Sequence, residues 1–370
     1  MQRLVMPSIL TLAVPNPDPN PNPKQGRAGL GWGSRCAQKQ SAEKEERRAI
    51  LRVFQEETEH KLIVDVITNL DYFGDWTKWE SALQLDSRWH NLLAVQNDNM
   101  LKFQMLVTED QFPTPSRLNM WGEGNGMCPL GCRQRGTLLH ILCACQVAIH
   151  EEPQSRITWR HDSILFAIFR AVLNVVNRVK NSLKAKKLNG QPNEQTVSVF
   201  WNPESGRKYA PIRAPQATTV LERASDWKII FDVTAPAYGQ AKNQPFPAEI
   251  MAFAGKRPDG VIWSMSSKTV IWIELTSPWE DNMPGRHEFK MHHYNQLRID
   301  CESKGWKVVP LCVEVGCRGR ASEPFHTMCR VLGFTQSEER DLKYEVELTA
   351  THCSYAILLA RYQRIWQPRP

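Results

Sequence analysis

Apolar residues recur at three- and four-residue steps from about Ala42. Ile50, Leu51 and Phe54, then Leu62, Ile63, Val66 and Ile67, are separated by Glu and Lys, which predicts an amphipathic helix. Similar spacing predicts helices near Trp79–Leu93 and Asn97–Leu106, and QFPTPSR (111–117) marks a break. The longest apolar stripe is Ile164, Leu165, Ile168, Phe169, Val172, Leu173, Val176 and Val179. Asp162 or Ser163 is the candidate N-cap of that helix, and Gly190 its stop. After a polar stretch with several Gly and Pro (189–216), the period shortens. Val220–Ala224 suggests a short helix. KIIFDV (228–233), DGVIW (259–263) and TVIWIEL (269–275) read as strands, a helix follows over about Pro284–Lys304, and WKVVPLCV (306–313) reads as another strand.

The change of period divides the chain. Residues 1–45, with the Pro/Asn repeat around Pro15–Pro23, are expected to be disordered, because they hold too little apolar surface to offset the entropy of ordering. Residues 46–188 form a mostly helical region and 189–216 a linker. Residues 217–335 form a domain with a mixed central sheet flanked by helices, and 336–370 a C-terminal extension. The expected fold class is α+β or α/β.

Composition narrows the function only a little. A hydrophobic share of 42% supports a real core, and the net charge of +7 is a mild basic excess compatible with a polyanionic partner. Arg170, Arg178, Lys180, Lys184, Lys186 and Lys187 read as a solvated helix face rather than a phosphate track. The ten cysteines lack the even spacing of a secreted disulfide scaffold, which points to a reduced, intracellular compartment. No apolar run is long enough to span a membrane, and the N-terminal run MQRLVMPSILTLAV lacks a convincing cleavage site.

The spacing Cys128-x3-Cys132-x7-His140-x4-Cys145 (128–145) supplies the donor types of a closed, tetrahedral structural zinc site. Gly126, Pro129, Gly131 and Gly136 permit tight folding around an ion, and Cys143 competes with Cys145 for the fourth position.

The second constellation is Asp259 with Glu274. A hairpin turning at Ser266-Ser267 pairs Gly260 with Glu274 and Asp259 with Leu275. Both carboxylates then lie at the same end of neighbouring strands, where hard oxygen ligands could share a divalent cation for phosphodiester hydrolysis. Lys290, Tyr294, Leu297 and Cys301 fall on one face of the following helix, so Lys290 can stand beside the attacking water, with His287 and His293 close by. His287, His292 and His293 read as surface residues. Trp263, Trp272 and Trp279 read as packing around the sheet.

RPD (257–259), IELTSPWE (273–280), HEFKMHHY (287–294) and GWKVVPLCVEVGCRG (305–319), in that order, resemble the restriction-like PD-(D/E)xK endonuclease of site-specific non-LTR retrotransposons. The knuckle followed by TWRHDSIL (158–165) is similar to the segment between reverse transcriptase and endonuclease in those polyproteins. The likeness covers roughly 75–330. It implies a Mg2+- or Mn2+-dependent DNA endonuclease with Asp259 and Glu274 as metal ligands, Lys290 as the catalytic lysine and Tyr294 as an accessory residue. Glu222 matches an acidic position upstream. Implied partners are DNA and the element's own RNA, with no membrane, and the implied location is nuclear. Thr276 stands where an ExK lysine would be, and His293 where relatives often carry Lys. No aromatic-x-Asp-Asp signature of a reverse transcriptase occurs in residues 1–120, so the chain looks like the C-terminal piece of such an element. The alternative is a domesticated nucleic-acid-binding protein without catalysis.

Overall fold

The computed structural model describes residues 44–61, 96–152, 154–188 and 219–366. Of the segment 1–45 expected to be disordered, 1–43 lie outside the described residues and 44–45 begin a helix. The helix near Trp79–Leu93, the whole linker 189–216 and the stop at Gly190 also lie outside the described residues. One compact unit spans Met1–Val64 and the other Asp65–Pro370. In the first, helix α1 (44–61) carries Ile50, Leu51 and Phe54 exposed.

In the second unit, α2 (Asp98–Thr108) is capped by Asn97, whose side chain accepts from the Met100 N–H at 2.9 Å. It buries Met100, Phe103 and Val107 on one face. After α3 (Pro115–Met120) come a π-helical turn (His140–Ala144) and the short α4 (Gln146–Ile149). Helix α5 (Arg156–Leu188) carries the expected apolar stripe. Its start corrects the sequence expectation. The cap is Ser155, whose hydroxyl accepts from the Thr158 N–H at 2.9 Å, and Asp162 and Ser163 lie inside the helix.

A four-stranded mixed sheet has the order β1 (Lys228–Phe231), β2 (Gly260–Ser264), β3 (Thr269–Thr276) and β4 (Lys307–Glu314). The first two pairings are antiparallel and β3–β4 is parallel, so the architecture is α+β. The β3–β4 crossover runs through helices α6 (Met283–His293) and α7 (Asn295–Ser303). The single helix expected over 284–304 therefore breaks at Tyr294, which has φ −94° and ψ 2°. Helices α8 (Glu323–Leu332) and α9 (Gln336–Leu359) follow, and α9 opens with a reciprocal capping box between Thr335 and Glu338.

The period-two alternation sorts β3 between two cores. Ile271, Ile273 and Leu275 pack with α5, α8 and α9, whereas Val270 and Trp272 pack with Tyr294, Leu297 and Cys301. Glu274 shares the second face, and this places its carboxylate beneath α6. Leu342, Val346 and Ala350 of α9 belong to the same core as the sheet and α5. Residues 336–359 thus pack as part of the body rather than as the appendage expected from the sequence. No helix among the described residues is long and apolar enough to cross a membrane.

Candidate metal centre and carboxylate site

The four knuckle residues converge. The ligating atoms of Cys128, Cys132, His140 and Cys145 all lie within 4.8 Å of one another. The Cys128 and Cys145 sulfurs are 3.8 Å apart, and Cys132 Sγ is 3.1 Å from His140 Nε2. Tetrahedral zinc with bonds of about 2.0–2.3 Å separates neighbouring donors by roughly 3.3–3.8 Å, so the cluster could hold such a metal. A tight turn supplies the first two ligands. Gly131 turns at φ +77°, a conformation that favours glycine, and the Cys128 N–H returns to Gln134 O at 2.8 Å. The π-helical turn supplies the rest, its wider winding bringing His140 and Cys145 together five positions apart. Burial lowers the His140 pKa and so favours the neutral ring that metals bind. Burial, with the neighbouring thiols adding to it, pushes the Cys128 thiol up to about 12.

Cys143 faces elsewhere. Its sulfur is 3.8 Å from Arg160 Nη2, and a hydrogen bond with Cys317 lowers its pKa against the effect of burial. Arg160, fully buried, reaches Ser277 Oγ, Ser277 O and Ser354 Oγ, each at 3.1 Å, and so fastens α5 to the chain leaving β3.

The β2–β3 register differs by one residue from the expected one. Gly260 faces Ile273 and Ser264 faces Thr269. The turn does lie at Ser266-Ser267, but symmetric pairing about it sets Asp259 level with Glu274 rather than with Leu275. The Asp259 N–H donates to Glu274 Oε2 at 3.3 Å, and Asp259 Oδ2 accepts from the Leu275 N–H at 2.8 Å. The Glu274 side chain is only 4% exposed, and Lys290 Nζ donates to its Oε1. Burial and the adjacent Asp259 carboxylate raise the Glu274 pKa, against the opposing pull of Lys290 and Tyr294. Tyr294, at the break between α6 and α7, donates its hydroxyl to Arg257 O at 3.1 Å. Its pKa is raised by burial and by the Glu274 charge. His293 is exposed and stacked on Phe289, so of these two it is Lys290 that meets the carboxylates.

Glu222 does not join them. It precedes β1 at the hairpin-turn end of the sheet, where Asp226 holds Ser264 and Ser266. Its own carboxylate accepts from the Thr219 N–H. Thr276 ends β3, level with Glu314, and its side chain brings no amine to the carboxylates.

Two neighbours escaped the sequence reading. His161, on α5, places Nε2 at 3.3 Å from Asp259 Oδ2 and 3.2 Å from Leu275 O. Burial disfavours its cation, but the Asp259 and Asp162 carboxylates outweigh that and push the pKa up to about 10. Glu314, buried at the end of β4, bonds His287 Nδ1 at 3.0 Å and Ser322 Oγ at 2.9 Å. Burial raises its pKa, while His287 and Ser322 oppose the shift. His287 is therefore half-buried and paired, not the plain surface residue expected. The signal for His161 was the run Arg160-His161-Asp162 just before the apolar stripe that begins at Ile164. Glu314 sits one residue past an apolar strand, where an acid reads as solvated. Trp263, Trp272 and Trp279 are packing residues, as expected, all less than a tenth exposed. No family model matches the chain, and no curated protein does either.

Proposed function

We propose that this chain is a metal-dependent DNA endonuclease of the kind carried by site-specific non-LTR retrotransposons, with a zinc knuckle preceding a restriction-endonuclease-like sheet. One observation carries the reading. Asp259, the residue before β2, stands level with Glu274 of β3, and Lys290 Nζ from the next helix bonds Glu274. Hard oxygen donors suit Mg2+ or Mn2+, and Glu274, whose pKa is raised first by burial and then by the Asp259 charge beside it, is a carboxylate that a cation would stabilise. A bound divalent cation supplies Lewis acidity and a more acidic water. Lys290 then places a fixed positive charge beside the attacked phosphate, and Tyr294, donating to Arg257 O, steadies the segment that carries Asp259. Lys256 and the exposed Arg257, just before Asp259, lie where the DNA backbone would approach. The element's RNA as a second partner and a nuclear location follow from the same resemblance.

A second reading is a nucleic-acid-binding module that no longer cuts. It is favoured by the protein cation already bonded to one oxygen of each acid, Lys290 on Glu274 Oε1 and His161 on Asp259 Oδ2. Supercoiled-plasmid nicking in Mg2+ and in Mn2+, run beside a binding assay, separates the two readings. Cutting supports the first, and binding without cutting supports the second. Binding is expected to weaken steeply with salt in either case.

A further inference from the structure

The long helix α5 belongs to the knuckle half of the sequence, yet its first turns reach the end of the sheet where the carboxylates lie. His161 is held on both sides there. Nδ1 faces Asp162 Oδ1 at 3.4 Å, and Asp162 is itself fixed by Lys242 Nζ and by Gln154 Nε2 at 3.0 Å. Nε2 faces Asp259 Oδ2 at 3.3 Å and Leu275 O at 3.2 Å. Besides Asp259 itself, the ring is thus held by Asp162 and the Leu275 carbonyl, which play no part in the carboxylate pair. Asp259 Oδ2 also accepts from the Leu275 N–H at 2.8 Å, so this one oxygen carries two donors. Among the described residues no hydrogen bond to Oδ1 is present. The neighbouring Arg160, bonded to Ser277 and Ser354, stops α5 from sliding past the sheet end.

We propose that His161 is a positioning residue that occupies Oδ2 of Asp259 and thereby presents Oδ1 to a divalent cation. This rests on the reading of Asp259 and Glu274 as cation ligands. It also assigns work to the knuckle half of the chain, whose helix builds part of the nuclease centre. Donors behind metal-binding carboxylates fix their orientation, and their loss typically costs about 10–100-fold in metal affinity or activity.

The test uses the zinc-loaded full chain and Mn2+ as the probe, following free Mn2+ by electron paramagnetic resonance, which needs no cleavage. His161→Ala should weaken Mn2+ binding by about 10–100-fold. DNA affinity in EDTA should not move, and excess Mn2+ should restore part of the nicking rate. His161→Gln, whose amide can still donate to Oδ2, should keep Mn2+ affinity within about threefold of wild type. If His161→Ala does not fold, Asp162→Ala, which removes the acceptor on Nδ1 and so frees the ring without touching Asp259, should weaken Mn2+ binding in the same direction. A folded His161→Ala protein with unchanged or tighter Mn2+ binding overturns the proposal. Wild-type protein that binds Mn2+ at this site yet never nicks overturns the nuclease reading alone, while the affinity series still decides the role of His161. Wild-type protein whose Mn2+ binding is indifferent to Asp259→Asn overturns both.

Discussion

Loss of the metal should melt the turn that carries Cys128 and Cys132 while the sheet stays folded, because almost nothing apolar lies beneath that turn, whereas Leu138, Ile141 and Leu142 pack into a separate core with Phe103 and Trp279. Its core consists of Cys128, Cys145 and Ala148, with Leu130 and Cys132 packed against them. Leu130 and Ala148 are the only members that are not ligands, and partial burial of these two is worth about 2–3 kcal/mol. Ordering the roughly ten residues of the turn from Gly126 to Gly136 costs on the order of 10 kcal/mol. A structural zinc site supplies about 10–16 kcal/mol and so covers the deficit, which the apolar contacts do not. Cys132→Ser removes one ligand from the exposed side of the cluster and should release the ion. Hydrogen exchange should then show protection lost over roughly 126–136, while Leu138–Leu142, β2, β3 and the core helix α5 keep theirs. Zinc measured on protein purified without added metal should be close to one ion per chain, falling to none in the variant. Full zinc occupancy in a Cys128/Cys132 double variant, or an unchanged exchange pattern after complete zinc removal, would refute the reasoning.

The remaining expectations concern the fourth ligand and the carboxylates. Cys143→Ser should leave zinc content unchanged and Cys145→Ser should remove it, since Cys143 faces Arg160 instead of the cluster; zinc analysis decides. Lys290→Ala should slow nicking by about 100–1000-fold, whereas His293→Ala, on the exposed side of α6, should change it less than threefold. Glu274→Gln should abolish nicking yet raise thermal stability at neutral pH, because a buried acid with a raised pKa destabilises the fold once ionised. The sign follows from the direction of that shift. The advantage is absent where Glu274 is protonated in both folded and unfolded chains. It grows as pH rises from the unfolded-state value through the higher folded-state value, and thermal melts across that range check it.

The sequence was most informative where the structure is local. The knuckle ligands lie within one short segment, and each strand is an apolar run ending in charge or a turn. The one-residue register difference arose because Gly260 was set opposite Glu274 when pairing about Ser266-Ser267 sets it opposite Ile273. The start of α5 was placed too late because the apolar stripe begins only at Ile164, and Arg156 and Arg160 before it carry no such signal. Both are in fact buried, Arg156 bonding Glu151 and the carbonyls of Ala360 and Gln363 from the far end of the chain. The same long range hides His161, whose partner Asp259 is separated from it by the whole span between the two halves. The break at Tyr294 carries no proline or glycine at that position, and its residues alone gave a continuous helical face.

The central claim is that Asp259, Glu274 and Lys290 together cut DNA. Purified zinc-loaded chain incubated with supercoiled plasmid in Mg2+ or Mn2+, beside Asp259→Asn, tests it most directly. The wild type should convert the plasmid to open circles in a metal-dependent way, and Asp259→Asn should bind DNA as well or better without cutting. Wild-type protein that binds the plasmid in either metal and leaves it supercoiled, or an Asp259→Asn protein that nicks at the wild-type rate, would contradict the claim.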